Sequence, residues 1–526
     1  MKKAIIYPIY CIVFLYAITV CGFEFDDLDA LADNDDWHFV ERNAADITPQ
    51  DVLDLIASPP ILLQDRLQNN LYKFTFPANR RRRSLLDYPF NFLHNYTLPC
   101  WGLEINSWFF YNQTSSDYYT KEGKFLSSYW NLIAENIIGD IDLTDFGIQF
   151  PDAVQLFSML KMQERRAGFM FDAFYAGLDG WNLELRIPLY YNERNFFLTP
   201  EEKERLQNSI LFDDNNSGHT DDSEINEHFI SDAIGLGDTR LSAGLFIIDQ
   251  EIFQLNIGLD VTLPTGVAFV QGLKGNYFPA NSEHAPFDLL ELFQLAFGTP
   301  PDLEAVKDMS IAFISSVIDR LSANLIQVHM GNSGHIGIAP FFENYLPLNN
   351  RFEIVTRGAV EYLFPAYEKR FYITKKFPQE FAVFAPYTPN ATDPAGALAF
   401  LNEQLINTFI PMVFSTDVYP GFLVKFCTEI IGNFGDTWQF GIGYDLWWQD
   451  KEQLGSIRAD PLVIAAIRRD IATRPGAFQN KLFSSINYYN CGRWFDWYIT
   501  AYGDYTVLNS GIGKDYTLSL RFTVDI

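Results

Sequence analysis

Three stretches of the sequence alternate apolar and polar side chains residue by residue. Residues 181–192 read WNLELRIPLYYN, residues 253–263 read FQLNIGLDVTL, and residues 516–526 read YTLSLRFTVDI. Because a β-strand turns successive side chains to opposite faces, each stretch has one apolar and one polar face. A wall of strands between hydrocarbon and water needs this pattern over about ten residues per strand. We therefore expect a transmembrane β-barrel.

The same alternation recurs along most of the chain and predicts twelve strands. Apart from the run at 4–20, no apolar stretch is long enough for a membrane helix. An even number of strands suits a single-chain barrel whose two ends lie on the same side. A further hairpin within 113–160 would raise the number to fourteen. The predicted strands lie near residues 101–112, 161–176, 181–192, 239–248, 252–264, 335–346, 351–364, 421–431, 437–448, 481–490, 493–507 and 515–526.

The segments between the predicted strands alternate between long and short along the chain. In a strand meander this order collects the short connections at one end and the long ones at the other. Outer-membrane barrels have short periplasmic turns and longer extracellular loops, whereas a soluble sandwich has no reason to sort its loops in this way. The predicted fold class is all-β, a transmembrane antiparallel up-and-down β-barrel of about twelve strands.

These features resemble those of bacterial outer-membrane β-barrel proteins of the porin and hydrophobic-compound transporter kind. The resemblance covers roughly residues 101–526 and includes the final strand at 515–526. The runs GLGDT at Gly235–Thr239 and LPTG at Leu263–Gly266 are similar to loop edges of such transporters. The resemblance implies a bacterial outer-membrane location, membrane lipid as a partner, and a channel or transporter for small-molecule permeants, with hydrophobic compounds as candidates.

The part of the chain before the predicted barrel has a different character. Two lysines followed by the apolar run at 4–20 are typical of a cleaved signal peptide, and an uncleaved anchor is the alternative. The arginine run at 80–83 could dock on phosphate groups. The predicted organisation is a signal peptide at 1–22, a periplasmic-side extension, plug or linker at 23–100, and the outer-membrane barrel at 101–526.

Composition excludes several kinds of function. A formal net charge of -28 opposes binding to nucleic acid. Beyond the predicted signal peptide only Cys100, Cys427 and Cys491 remain, which is too few for a disulfide scaffold, so we expect free thiols. The seven histidines show no zinc-ligand spacing, and no phosphate-binding glycine motif is present. We therefore predict no metal and no cofactor.

Cross-strand pairing tests the predicted faces. We expect Asp172 to lie opposite Arg186. If residues 249–251 form a turn, Arg240 falls opposite Asp260. Opposite charges that face each other stabilise a strand pair, and a slip of one residue would turn every side chain to the wrong face.

Charged side chains recur on the polar faces of the predicted strands. A twelve-strand barrel is narrow enough for charges on facing walls to interact and filter solutes. The alternative is an inert polar lumen held together by arginine and carboxylate ladders. The candidate lumen or filter residues are Glu164, Arg166, Asp172, Glu184, Arg186, Arg240, Asp260, Arg357, Glu361 and Arg521.

Three predicted loops carry apolar helical patterns, near residues 287–297, 305–325 and 395–413. On the outer side of the membrane these could form an apolar surface that collects a hydrophobic substrate. They could equally pack together and close the barrel mouth.

Two rival functions stay open at this point. In the run HMGNSGH at 329–335, Ser333 and His335 share a face, which partly resembles the Ser/His pair of outer-membrane phospholipases, a barrel-type lipid hydrolase. The order is reversed and glycines flank the serine, so we predict no catalytic residue and no enzyme. The other rival is a structural or adhesive surface protein. The sequence leaves homo-oligomer formation open.

Overall fold

The structure, a computed structural model, describes the barrel strands, a short segment before them and parts of the long loops. The predicted signal peptide, residues 23–81 and the loop segments at 287–297, 305–325 and 395–411 lie outside the described residues. The described residues are 82–91, 102–115, 118–119, 125–126, 162–177, 179–207, 226, 229–250, 252–276, 326–349, 351–372, 412–435, 437–491 and 496–525.

This part of the chain contains nineteen strands and three α-helices, numbered here in chain order. The strands are β1 (Gly102–Ser115), β2 (Tyr118–Tyr119), β3 (Phe125–Leu126), β4 (Gln163–Ala176), β5 (Trp181–Asn195), β6 (Ile230–Leu236), β7 (Thr239–Gln250), β8 (Phe253–Leu263), β9 (Val267–Gln271), β10 (Gly337–Asn349), β11 (Phe352–Leu363), β12 (Ala366–Tyr372), β13 (Met412–Tyr419), β14 (Phe422–Phe434), β15 (Trp438–Gln449), β16 (Gln453–Ile457), β17 (Ala477–Cys491), β18 (Asp496–Ser510) and β19 (Lys514–Asp525). The helices are α1 (Pro200–Gln207), α2 (Pro461–Ala466) and α3 (Arg469–Ala472).

Twelve of these strands close into an antiparallel barrel. Round the wall the order is β4, β1, β19, β18, β17, β15, β14, β11, β10, β8, β7 and β5, and β5 pairs back with β4. All twelve predicted strands are present, so the barrel prediction is confirmed. The hairpin β2–β3, from the region 113–160, forms a small sheet of its own and does not enter the wall. The fourteen-strand alternative is therefore wrong.

The two ends of the barrel differ in their connections, as predicted. At the turn end, hairpins of a few residues join β4 to β5, β7 to β8, β10 to β11, β14 to β15 and β17 to β18. At the loop end, all but one of the connections are long. The exception is a tight turn at Gly511–Gly513 between β18 and β19, where Gly511 has φ +67°, a backbone conformation that glycine adopts without steric cost.

Apolar side chains cover the outside of the wall, and polar side chains line the inside. On β19, Leu518 and Leu520 are 57% and 50% exposed, whereas Thr517 and Arg521 are buried. Trp438, at the turn end of β15, is also exposed, as expected for an aromatic ring at the boundary with lipid headgroups. The alternation in the sequence thus separates lipid from the bore.

One of the two predicted charge pairs is correct and the other is wrong. Asp172 lies opposite Arg186, as expected. Arg240 lies opposite Thr262 rather than Asp260. The turn between β7 and β8 is shorter than the predicted one and shifts the register by three residues, and a bulge near residue 247 shifts it back by one. The net shift is two residues, so Arg240 stays on the inner face.

Further strands extend beyond the barrel at the loop end. β6 pairs with the loop-end half of β5 and carries β9 on its other side, while β12, β13 and β16 form a separate sheet. The bends that join β6 to β7 and β8 to β9 coincide with the GLGDT and LPTG runs. Residues 412–413, at the end of the third apolar loop pattern, lie in β13. Among the described residues, no helix is both long and apolar enough to cross a membrane.

An arginine on the outer face should destabilise the barrel according to its depth in the bilayer. Leu520 lies near the middle of β19 and Leu508 near the loop end of β18, and both are exposed. We expect Leu520→Arg to reduce the free energy of unfolding by ~2–4 kcal/mol and Leu508→Arg by about 1 kcal/mol or less. Urea unfolding in lipid vesicles, read by heat-modifiable gel migration, measures both. Equal losses would contradict the predicted membrane position.

Candidate functional site

The structure buries all ten predicted lumen residues on the inner side of the wall. Three of them, Glu164, Arg166 and Arg240, contact residues that precede the barrel. The other seven form ion pairs with residues of the wall. Their assignment as a solute filter stays a prediction.

Buried ion pairs join wall strands that are adjacent, or, for Arg357 in β11 and Asp260 in β8, separated by one strand. Arg186 Nε lies 3.3 Å from Asp172 Oδ2, and Arg186 also pairs with Glu184. Arg357 Nη2 lies 2.9 Å from Asp260 Oδ2. Since each guanidinium is neutralised by carboxylates of the wall itself, this part of the bore supports the ladder interpretation. The other pairs of this kind are Arg357 with Glu343 and Arg521 with Glu104.

Residues 82–91 lie inside the barrel, and we call this stretch the lumen segment. Two short 3-10 helices, Leu85–Asp87 and Pro89–Asn91, make it compact. Tyr88 and Phe90 have no exposed surface at all. A stretch this short reaches such burial because the wall surrounds it.

The lumen segment runs from the loop end towards the middle of the bore. Arg82 Nε lies 3.5 Å from Glu164 Oε2, one residue from the loop end of β4. Phe90 packs against Trp108, half-way along β1, with ring centroids 5.3 Å apart. The segment therefore occupies the loop-end half of the barrel.

Asp87 is held between two cations of the wall. Its Oδ1 atom lies 2.7 Å from Arg240 Nη2 and 2.7 Å from Lys425 Nζ. Arg240 also donates a hydrogen bond of 2.7 Å to the carbonyl of Leu86, and Lys425 pairs with Glu361 at 2.5 Å. Arg240 is in β7 and Lys425 in β14, with β8, β10 and β11 between them. One carboxylate thus connects distant parts of the wall.

Arg83 and Tyr88 make the second set of polar contacts. The two terminal nitrogens of Arg83 lie 2.7 and 3.0 Å from the two carboxylate oxygens of Asp445, the two-pronged geometry that gives arginine–carboxylate pairs their strength. Tyr88 donates its hydroxyl proton to Asp515. Arg166 Nη2 donates to the Tyr88 hydroxyl oxygen at 2.8 Å. These contacts reach β15, β19 and β4.

An aromatic slot receives Phe90. Its ring centroid lies 5.3 Å from that of Trp108, 6.2 Å from Phe110 and 5.8 Å from Tyr502, and these three residues define the slot. Such distances are favourable for aromatic pairs. The bore thus contains an apolar layer between charged regions. Other buried members of the same cluster are Met170, Tyr190, Cys427 and Phe483.

A second stretch, residues 326–336 before β10, contacts the lumen segment. The carbonyl of Gln327 accepts hydrogen bonds of 2.8 Å from Arg82 Nη2 and from Arg194 Nη1. Arg194 is in β5, so this stretch bridges the lumen segment and the wall. This stretch includes Ser333 and His335, the Ser/His pair of the rival hydrolase interpretation.

Ser333 and His335 do not pair with each other in the structure. His335 Nε2 lies 2.6 Å from Glu368 Oε1, and His335 Nδ1 lies 2.7 Å from the carbonyl oxygen of Phe364. Both ring nitrogens are therefore engaged away from Ser333, which occupies a turn with φ +65°. The arrangement lacks the nucleophile–base contact that a hydrolase needs.

Glu368, in β12, organises an ion-pair network beside the sheet of β12, β13 and β16. Arg370 Nη2 lies 3.0 Å from Glu368 and 2.8 Å from Glu452, and Arg474 Nη2 lies 3.0 Å from Glu368. Burial by itself raises the pKa of Glu368, but the guanidinium groups of Arg370 and Arg474 outweigh it and lower the pKa overall. Ionised Glu368 thus holds the side chain of His335 in place just before β10 begins.

Sequence analysis found Arg166 and Arg240 but missed other residues that hold the lumen segment in place. Lys425 and Asp515 fall on the inner face of predicted strands, so the period of two could have found them. Asp87, Tyr88 and Phe90 carry no comparable signal, because two single turns of 3-10 helix are too short to show a periodicity.

Other predicted site features can be placed only in part. Cys427 is a buried, free cysteine, whereas Cys100 and the side chain of Cys491 lie outside the described residues. Across the described ranges, no group of three or more metal-ligating side chains is arranged to hold a metal ion.

The closed wall, its apolar outer surface and its charged interior together identify the fold. The protein is an outer-membrane β-barrel. No family model and no curated protein sequence matches this chain.

Several solved outer-membrane channels are similar to the chain at very low sequence identity. One is the COG4313 outer membrane channel from Pseudomonas putida F1, with a TM-score of 0.40, 9% identity, and coverage of 82% of this chain and 99% of that one. The toluene transporter TodX of Pseudomonas putida has a TM-score of 0.31 and 7% identity, covering 86% and 96%. The toluene transporter TbuX of Ralstonia pickettii has a TM-score of 0.32 and 8% identity, covering 80% and 89%. These scores are too low to transfer a substrate.

Neutralising Asp87 should loosen the lumen segment. Asp87→Asn leaves Arg240 and Lys425 buried with less compensating charge, a change that costs ~3–5 kcal/mol when a buried pair is broken. We expect amide hydrogen exchange in peptides covering 82–91 to accelerate on the order of 10²-fold or more, as measured by mass spectrometry with barrel peptides as reference. Asp249→Asn, at an exposed position near the turn end, is the control. Unchanged protection in Asp87→Asn would show that the ion pairs do not hold the segment.

Proposed function

We propose that the protein is an outer-membrane channel for small molecules whose bore is closed at rest by the lumen segment. Small hydrophobic molecules are the proposed permeants. The observation that carries the proposal is the lumen segment itself, docked inside a complete wall by side chains from strands all round the barrel.

The way in which the lumen segment is held supports a removable closure. Among the described residues, backbone hydrogen bonds of the segment join its own residues, such as Asp87 N to Ser84 O and Tyr88 N to Leu85 O. The wall strands meanwhile pair with one another in an unbroken ring. Because none of the described strand ladders includes the segment, it can leave the bore without breaking one.

Departure of the segment would change which charges line the bore. Arg240 and Lys425 would lose Asp87, and Asp445 would lose Arg83. Charges of both signs would then face the water at the loop end. The filter role predicted for Arg166, Arg240 and Glu361 belongs to this open state.

The aromatic slot supports hydrophobic permeants. Trp108, Phe110 and Tyr502 surround a phenyl ring in the closed state. Once Phe90 withdraws, an apolar molecule of similar size gains the same contacts on its way through. A bore that passed only ions would have no need for an apolar layer at this depth. No contact in the described residues favours the hydrolase or the adhesive alternative.

Conductance across a planar bilayer tests the closure. Asp87→Lys places a third cation beside Arg240 and Lys425, so repulsion should expel the segment. We expect a several-fold higher conductance or open probability than in the parent protein. Asp249→Lys, exposed near the turn end, is the matched control and should leave conductance unchanged. Equal conductance in all three proteins would contradict the proposed closure.

Ligand binding to a vacated slot tests the permeant class. Phe90→Ala should open an apolar cavity, and a dry apolar cavity binds benzene. We expect saturating benzene to raise the Tm of Phe90→Ala by several degrees and that of the parent protein much less. Phe434→Ala, on the exposed outer face, is the control for nonspecific effects. A benzene shift that is the same in all three proteins would count against the slot as a permeant site.

A further inference from the structure

A polar cavity of about 60 Å³ lies between the lumen segment and the loop end of the wall. Its lining comes from the lumen segment, from β4 and β5, from the bend between β6 and β7, and from the turn at 331–334. The charged and amide residues of the lining are Arg82, Arg83, Glu164, Arg166, Asn192, Asp238 and Asn332.

Three buried polar atoms of this lining have no hydrogen-bond partner among the described residues. They are Arg83 Nε, Asn192 Oδ1 and Asp238 Oδ1. Each of the three residues is at most 3% exposed. Buried polar atoms in folded proteins are nearly always satisfied, so unpaired atoms on three residues that line one cavity support the presence of a bound polar molecule.

The charges of the lining indicate what kind of molecule fits. Arg166 donates to Asn112 Oδ1, to the Tyr88 hydroxyl and to the Arg83 carbonyl, all of them neutral acceptors. Among the described residues Arg166 forms no ion pair, and Glu164 of the same lining pairs instead with Arg82 at 3.5 Å and with Arg194 at 3.7 Å. The buried positive charge of Arg166 therefore attracts a further anionic group. The orphan oxygens of Asn192 and Asp238 instead require a hydrogen-bond donor. The cavity thus offers cationic donors together with the neutral amide oxygen of Asn192 and the carboxyl group of Asp238, whose pKa burial raises to about 7.

We propose that this cavity binds a small zwitterion of the amino-acid class. Its carboxylate meets Arg83 and Arg166, and its ammonium group meets Asn192 and Asp238. A volume of about 60 Å³ holds roughly four or five water-sized groups, which matches the heavy atoms of glycine. A simple anion would leave both orphan oxygens unsatisfied, and a simple cation would leave Arg83 Nε unsatisfied.

The site also couples to closure of the bore. Arg82, Arg83, Ser84 and Leu85 form one side of the cavity, so the complete site exists only while the lumen segment is docked. A ligand that binds only the docked state stabilises that state by mass action. The zwitterion is therefore a ligand that favours closure, distinct from the proposed hydrophobic permeant.

Titration calorimetry on the purified full-length barrel in detergent tests binding, with glycine as the probe. We expect saturable binding of glycine, whereas acetate alone and methylammonium alone bind at least tenfold more weakly. Asp238→Asn keeps the shape but removes the charge, and it should weaken glycine binding at least tenfold. Asp249→Asn, outside the cavity, should bind as the parent does. No heat with glycine, or equal binding of acetate, overturns the proposal.

Hydrogen exchange tests the coupling separately. Saturating glycine should slow exchange in peptides covering 82–91 relative to barrel peptides, and this protection should disappear in Asp238→Asn. Glycine binding without added protection would overturn the coupling while leaving the site intact. Because calorimetry does not depend on conductance, failure of the zwitterion site and failure of the channel proposal are distinguishable.

Discussion

Closure of the strand ladder is the constraint on which the rest of the structure depends. Hydrocarbon offers no hydrogen-bond partner to a peptide group, so every strand in the wall must have a neighbour on both sides. β1 meets this condition by pairing with β19 on one side and β4 on the other, and β5 returns to β4. Once the ring is closed, side chains can only face lipid or bore. The apolar outer rows and the buried charges both follow from that division.

Closure of the ring also encloses charged side chains in the bore, and the lumen segment pairs with some of them. A ring of twelve strands encloses a bore whose inner faces carry many charges, and buried charges are costly unless they are paired. Neighbouring strands pair some of them, as Asp172 and Arg186 do. Others find partners in the lumen segment, since Asp87 neutralises Arg240 and Lys425, and Arg83 neutralises Asp445. The lumen segment therefore fills the bore and neutralises its charges at the same time. A channel that opens must rebalance these charges, which links gating to electrostatics.

The lumen segment combines two kinds of contact with different consequences. Its ion pairs are specific in geometry and sensitive to single charge changes, whereas Phe90 in the aromatic slot contributes apolar burial that a ligand of similar size can replace. The polar cavity beside Arg83 adds a third kind, in which a ligand strengthens docking instead of competing with it. On this view the closed state responds to two chemically different molecules, an apolar one that displaces Phe90 and a zwitterion that locks the segment.

The sequence alone determined the twelve wall strands, their faces and most of the sorting of turns and loops, because a period of two is a local property of extended chain. It also placed all ten candidate lumen residues on the buried face. It did not indicate the seven described strands outside the wall. Tertiary structure decided the rest. A shorter turn and a bulge near residue 247 moved Arg240 away from Asp260, and no local pattern reports a shift of two residues that keeps the same face. Asp87, Tyr88 and Phe90 meet partners hundreds of residues later in the chain, as Tyr88 and Asp515 show. Only the closed ring brings those residues together, so no local sequence pattern predicts that the lumen segment occupies the bore.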